Sequence, residues 1–203
     1  MRKVFVHVPE IKIGAGFILL IAFVLFFDSE NMFLLAATSA LIHEAAHLAA
    51  IYICSGRAER IELTLYGAYI ELSEYPMIPY KKEFLIAAAG PAASAAVAYG
   101  FSVMGECFDN NMLFILAGIN LMLAVFNLIP AYPLDGGRML RCFLLTVSDE
   151  NVANTVCNFF GIVSAGMVLI FCALFNFNVG FQLSLTVFCV FIAASVAKSL
   201  VFK

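Results

Sequence analysis

The sequence predicts an α-helical polytopic membrane protein whose chain crosses the bilayer about six times. First, 64% of the residues are hydrophobic and 12% are charged, whereas a soluble domain is nearer half apolar and a quarter charged. Second, six apolar segments approach the length of about 20 residues that a helix needs to cross the hydrocarbon core. Third, a chain with six spans would carry all its basic residues on one side of the membrane.

The six segments are long apolar runs separated by short polar stretches. Arg2 and Lys3 precede the first run as they would in a signal peptide, but no small-residue cleavage site follows Phe27, so we predict an uncleaved first span. The last two runs are rich in Phe, Val and Leu and are expected to face lipid. The predicted spans are Ile11–Phe27, Asn31–Cys54, Phe84–Met104, Met112–Pro130, Val152–Phe175 and Phe181–Val201.

The distribution of charge predicts the orientation of the chain. All 11 lysines and arginines fall in loops, in termini or near span ends that six spans place on the same side as the two termini. The positive-inside rule therefore predicts that both termini are cytoplasmic. A net charge of -3 without a basic patch argues against a nucleic-acid partner. The charged residues in the loops on the opposite side are all acidic, namely Asp28, Glu30, Glu106 and Asp109.

The connection between the second and third spans differs from the other loops. Ile61–Tyr66 and Ala68–Leu72 each alternate between apolar and polar residues, and Gly67 separates them. This pattern predicts a small membrane-associated β-hairpin on the cytoplasmic side, whose edge could pair with another extended chain. The alternative is an ordinary solvated connection.

The third span is rich in small residues from Ala87 to Ala96. Small residues allow membrane helices to approach closely, and Pro91 is expected to kink this helix. We expect a helix that serves packing and carries no chemistry.

The second span contains the sequence His43-Glu44-Ala45-Ala46-His47. Residues four apart lie on one helical face, so the two histidines can direct ring nitrogens at one metal ion. Glu44 is close enough to reach a metal-bound water without being a ligand. A charged side chain at the bilayer centre costs at least ~2.5–3.5 kcal/mol, which favours a functional role for Glu44. The alternative is a polar cluster that holds helices together.

Two histidines leave a catalytic zinc ion one protein ligand short. Asp135 is the best candidate, because Pro130 and Pro133 break the preceding helix and let this carboxylate turn inward. His43 lies near the middle of its span, whereas Asp135 lies five residues beyond the fourth span. We therefore predict that the helix breaks at Pro130, turns back into the membrane and continues in Met139–Val147.

These motifs resemble those of the site-2 protease family of intramembrane zinc metalloproteases, peptidase family M50. The resemblance rests on His43–His47, on Asn127–Pro130 and on Leu134–Gly137, and Gly90-Pro91 falls where the family has a Gly-Pro motif. The family commonly places an asparagine a few residues later, where this chain has Ser94, so the resemblance assigns Ser94 no role. The bacterial sporulation branch, the stage IV protease, is the most similar.

The resemblance implies hydrolysis of a peptide bond in or near a transmembrane segment of a membrane-associated substrate. It implies one Zn²⁺ per chain, held by His43, His47 and Asp135, with Glu44 as the base. It gives Asn127 the task of positioning the substrate or steadying the oxyanion, although a helix-packing hydrogen bond is the alternative. The sporulation branch implies maturation of a sigma-factor precursor, with membrane regulatory partners. We expect one transmembrane domain over residues 1–203, without a CBS or PDZ domain.

Two other functions remain open from the sequence. A metal-ion transporter would need His43, His47 and Asp135 but not Glu44, and the inverted repeats of many transporters are not found here. A non-proteolytic membrane-protein binder would need none of these four residues, and their joint presence argues against it. A sporulation role and envelope-stress signalling both remain open.

Overall fold

The computed structural model describes residues 10–13, 32–54, 58–64, 67–72, 78–132 and 134–179. These ranges contain a three-stranded sheet and five helices. The elements in chain order are β1 (Glu10–Ile13), α1 (Met32–Cys54), β2 (Ala58–Thr64), β3 (Gly67–Leu72), α2 (Tyr80–Phe108), α3 (Asn111–Asn127), α4 (Asp135–Val147) and α5 (Glu150–Val179).

Three of the described helices, α1, α2 and α5, are long and apolar enough to cross a membrane. Helix α3 is also apolar but has 17 residues, which span about 26 Å, a little less than the hydrocarbon core. The prediction of a helical membrane protein is confirmed at this level. The predicted fourth span ends earlier than expected, because α3 stops at Asn127 and a turn begins at Leu128. The predicted sixth span, Phe181–Val201, lies outside the described residues.

The prediction for the first span is wrong at its beginning. Residues Ile11–Ile13 belong to β1, which pairs in parallel with β2 and places Ile11 opposite Ile61. The sequence Glu10-Ile11-Lys12-Ile13 alternates charged and apolar residues, which fits a strand with one covered face better than a helix in lipid. Residues 14–27 of this predicted span lie outside the described residues.

The sheet has the order β1-β2-β3, so β2 is the central strand. Strands β2 and β3 are antiparallel, and Thr64 opposite Gly67 closes their ladder. Gly67, predicted to separate two strands, is the first residue of β3. Both edges of β2 are paired, and among the described strands the unpaired edges belong to β1 and β3.

Helix α2 is the centre of the helical packing. It contacts α1, α3 and α4, while α5 packs against α4. Buried small residues recur along α2, which allows its neighbours to approach closely; they include Ala87, Gly90, Ser94 and Ala98. Lys82 Nζ also donates a hydrogen bond of 2.8 Å to the Cys54 carbonyl oxygen, which ties the end of α1 to the start of α2.

The turn between α3 and α4 is packed tightly against the first residues of α4. A Cβ atom on Gly136 would lie 2.2 Å from the Leu128 carbonyl oxygen, and one on Gly137 would lie 2.5 Å from the Ala131 carbonyl carbon. Only glycine fits at these two positions. Helix α4 begins at Asp135, four residues earlier than the predicted Met139, so Asp135 stands at its first turn.

Candidate metal centre

One face of α1 carries polar side chains in an otherwise apolar helix. Ser39, His43 and His47 recur every four residues and are 1%, 3% and 5% exposed. Other side chains of the same helix, such as Leu41 and Ile53, are exposed and available to lipid. The polar face is therefore turned into the helix bundle.

His43, His47 and Asp135 converge on one point between α1 and α4. His43 Nε2 lies 3.1 Å from Asp135 Oδ2, and His47 Nε2 lies 3.1 Å from the same oxygen. The two Nε2 atoms are 3.2 Å apart. All three residues are buried, and they form a group that could hold a metal ion.

The spacing of these atoms fits a tetrahedral metal site. Ligand atoms about 2.0–2.1 Å from a tetrahedral ion lie about 3.3 Å from one another, close to the observed separations of 3.1–3.2 Å. Two imidazole nitrogens and one carboxylate oxygen are a donor set that suits zinc and leaves a fourth position open. The residues present therefore fit the metal that the sequence predicts.

Helix α2 fixes the orientation of both histidine rings. His47 Nδ1 donates a hydrogen bond of 2.7 Å to the Ile86 carbonyl oxygen, which can only accept. In the neutral ring this leaves the Nε2 lone pair free for a metal. His43 Nδ1 lies 2.9 Å from the Ser94 hydroxyl oxygen, and donation to that oxygen would leave His43 Nε2 free in the same way. The expectation that this helix serves packing alone is therefore wrong.

Gly90 lies directly against the two ligand nitrogens. A Cβ atom at this position would be 2.2 Å from His47 Nε2 and 2.6 Å from His43 Nε2. The backbone of α2 therefore forms one wall of the site, and any larger residue would push into the space where the nitrogens meet. The Gly90-Pro91 pair was a visible sequence signal, but its place beside the histidines depends on how the helices pack.

Two further charged residues lie near the convergence point. Glu44 follows His43 on α1, is half-buried and interacts electrostatically with both histidines and with Asp135. Arg138, one turn after Asp135, places its Nη1 atom 3.8 Å from Asp135 Oδ1, while the histidines contact the other carboxylate oxygen, Oδ2. The site thus combines a ligand set, an adjacent carboxylate and one partly exposed cation.

Asn127 occupies the last residue of α3. Its Nδ2 atom donates a hydrogen bond of 3.0 Å to the Leu123 carbonyl oxygen one turn earlier, and the side chain is half-buried. Among the described hydrogen bonds, none joins Asn127 to His43, His47 or Asp135. Its predicted role toward substrate stays a prediction.

Sequence reasoning missed Ser94, which is fully buried against His43. Ile86, Gly90 and Ser94 are spaced four residues apart, so all three lie on one face of α2. That spacing is visible in the sequence, but only the packing of α2 against α1 shows that this face meets the histidines.

Known proteins share both sequence and fold with this chain. The family model described as Peptidase family M50 matches residues 108–172. A zinc metalloprotease of Methanocaldococcus jannaschii is 31% identical over 160 residues, which are 71% of this chain and 46% of that protein. The Stage IV sporulation protein FB of Bacillus subtilis is 33% identical over 107 residues, covering 52% of this chain and 36% of the relative.

A putative zinc metalloprotease, Rip3, of Mycobacterium tuberculosis is 34% identical over 122 residues, 56% of this chain and 31% of that protein. The chain spans less than half the length of these curated relatives. Among solved structures, the site-2 protease from Methanocaldococcus jannaschii superposes with a TM-score of 0.67 at 26% identity, covering 93% of this chain and 89% of that one. Together, the family match, the named relatives and the shared fold show that this chain belongs to peptidase family M50.

Proposed function

We propose that this protein is an intramembrane zinc metalloprotease that hydrolyses a peptide bond in or near a transmembrane segment of a membrane-associated substrate. The observation that carries the proposal is the buried meeting of His43, His47 and Asp135 between apolar helices, with Glu44 beside them. The zinc metalloproteases among its relatives support the same activity.

Each residue of the centre has a distinct task in this proposal. His43, His47 and Asp135 hold the zinc ion, which when bound lowers the pKa of water and polarises the scissile carbonyl. Glu44 takes a proton from the attacking water and delivers it to the leaving nitrogen. Asn127 uses one amide hydrogen within its own helix and keeps the second to hold the substrate carbonyl.

The substrate must be unwound before its backbone can reach the site. The backbone N–H and C=O groups that unwinding frees cost roughly several kcal/mol each if they stay unpaired in lipid. A strand edge at the membrane surface would pair with them. Strand β2 is paired on both sides, which leaves the outer edges of β1 and β3. The edge of β3, Gly67–Leu72, is the longer of the two, with six residues against four, and is the one that we assign to the substrate.

The relative named Stage IV sporulation protein FB favours a sporulation role. In this reading the substrate is a membrane-associated sigma-factor precursor, and membrane proteins regulate the cleavage. Envelope-stress signalling is the alternative, and it would use the same chemistry on a different substrate.

Replacing Glu44 with Gln tests the chemistry most directly. The amide keeps the shape of the side chain but cannot take a proton, so Glu44→Gln should abolish cleavage of a single-span substrate while one zinc per chain stays bound. His43→Ala, His47→Ala and Asp135→Ala should each lose bound zinc as well as activity. A metal transporter would retain full transport in Glu44→Gln, and normal proteolysis by this variant would remove Glu44 from the mechanism.

The charge distribution supports six spans with both termini in the cytoplasm. Cysteines can be placed at Asp109, between α2 and α3, and at Lys81, in the first turn of α2. An impermeant thiol reagent applied to intact cells should label the cysteine at position 109 and not the one at position 81, in a background without the native cysteines. The reverse pattern would place the β-hairpin on the outer face.

A further inference from the structure

A buried polar contact joins α3 to α1, the helix that carries His43 and His47. Asn120 is fully buried, and its Nδ2 atom donates one hydrogen bond of 2.9 Å to Ser39 Oγ and another of 2.9 Å to the Leu116 carbonyl oxygen. Ser39 is 1% exposed, and its hydroxyl donates to the Leu35 carbonyl oxygen at 2.9 Å. Asn120 therefore uses both amide hydrogens, one of them across the interface between α1 and α3.

The oxygen of the same amide differs from its nitrogen in its hydrogen bonding. Among the described residues, Asn120 Oδ1 is the one buried side-chain nitrogen or oxygen atom without a hydrogen bond. A buried acceptor left in this state costs about 1–3 kcal/mol, and an apolar side chain of the same shape would avoid that cost. The stability of the bundle therefore does not account for asparagine here. Buried polar groups that lower stability are expected where a specific arrangement is needed.

The contact with Ser39 lies one helical turn before the first ligand. Ser39 and His43 are four residues apart on the same face, about 6 Å along the axis. A rotation of α1 by one residue would turn both histidines through about 100° away from Asp135. Metal ligands must be held within about 0.5 Å of their working positions, so the rotation of α1 has to be fixed.

Helix α3 leads directly to the third ligand. It ends at Asn127, and the tight turn against Gly136 and Gly137 then delivers Asp135 to the site. The contact between Asn120 and Ser39 therefore connects the helix that holds two ligands with the segment that presents the third. The Nδ1 atoms of both histidines are instead held by α2.

We propose that Asn120 is a positioning residue for the metal centre. Its hydrogen bond to Ser39 fixes the rotation and height of α1 relative to α3, so that His43 and His47 meet Asp135. This role rests on the proposed zinc protease, and its loss should lower zinc affinity as well as the rate of cleavage. Asn120 does not touch the substrate or the reacting atoms.

Zinc affinity of the purified full chain, measured by competition with a chelator, tests the proposal. Asn120→Leu and Ser39→Ala should each weaken zinc binding about tenfold, equivalent to ~1.4 kcal/mol. Because both variants remove the same hydrogen bond, the double variant should bind no more weakly than either single variant. Thr38→Ala is the matched control: the Thr38 hydroxyl also donates to the Leu35 carbonyl oxygen, but it is exposed.

The melting temperature of the zinc-free protein separates positioning from general support. Asn120→Leu removes the unpaired oxygen, so its zinc-free melting temperature should equal or exceed that of the parent while zinc affinity falls. A lower melting temperature with unchanged zinc affinity would overturn the proposal, as would unchanged affinity in both single variants. If the parent protein binds zinc but cleaves no substrate, the protease proposal is rejected. The zinc affinities of the variants would still support the positioning role. A parent that binds no zinc would overturn both.

Discussion

Helices α1 and α5 are both apolar, but they differ in the polar side chains that they bury. Both are long and apolar enough to cross a membrane, and both expose large apolar side chains. Helix α1 buries three polar side chains four residues apart, and two of them, His43 and His47, belong to the described group that could hold a metal ion. Helix α5 packs against α4 and contributes no residue to the described metal group. Overall hydropathy thus indicates which helices can enter lipid, and the spacing of a few polar residues indicates which helix carries the site.

The largest effect expected from this comparison is that of a single methyl group. Gly90→Ala would place a Cβ atom 2.2 Å from His47 Nε2, whereas a Cβ on Gly166, on α5, would meet no described atom beyond its own helix backbone within 4 Å. We expect Gly90→Ala to lower zinc affinity by more than about 100-fold, beyond the range for loss of an outer hydrogen-bond partner. Gly166→Ala should leave zinc content and cleavage unchanged. Normal zinc content in Gly90→Ala would mean that α2 does not lie against the ligands.

The two buried serines of α2 and α5 provide a second matched pair. Ser94 contacts His43 Nδ1, and Ser164 is buried on α5. Ser94→Ala should weaken zinc binding by about 10–100-fold, because the ring loses the partner that fixes its orientation. Ser164→Ala should not change it. Equal losses in both variants, measured by chelator competition, would assign the effect to packing and not to the histidine.

The smallest expected effect concerns the strand edge. Proline removes a backbone donor, so it should slow cleavage only at positions of β3 whose N–H groups face the substrate. Ile70 and Tyr69 are adjacent, so their N–H groups point to opposite edges of β3. The cleavage rates of Ile70→Pro and Tyr69→Pro should therefore differ by about 5–10-fold, which corresponds to one hydrogen bond of about 1–1.5 kcal/mol. The alanine variants at both positions serve as controls, and zinc content should stay normal. Equal rates in the two proline variants would exclude substrate addition at this edge.

Much of the helical arrangement could be predicted from apolar run lengths alone. The predicted spans Asn31–Cys54 and Val152–Phe175 correspond to α1 and α5, with ends shifted by a few residues. Strand β1 was missed because a run of apolar residues outweighed the short alternation at Glu10–Ile13. Its pairing with β2 depends on residues about 50 positions away in the sequence.

The candidate ligands could also be selected from the sequence, because carboxylates and histidines are rare in apolar helices and costly there. The surroundings of these residues could not be selected in the same way. Gly90 belongs to a Gly-Pro pair that is visible in the sequence, but its contact with the histidines depends on how α1 and α2 pack. Ser39 and Asn120 are 81 residues apart, and each alone resembles an ordinary polar residue in a membrane helix.

The order of the ligands along the chain has a consequence for biosynthesis. His47 and Asp135 are 88 residues apart, so α1 leaves the ribosome well before the third ligand has been made. At a translation rate of about 5–20 residues per second, the interval is roughly 4–18 s. During that time the nascent chain carries His43, Glu44 and His47 but lacks Asp135. In the proposed zinc protease, cleavage therefore has to wait until α4 has brought Asp135 to the two histidines.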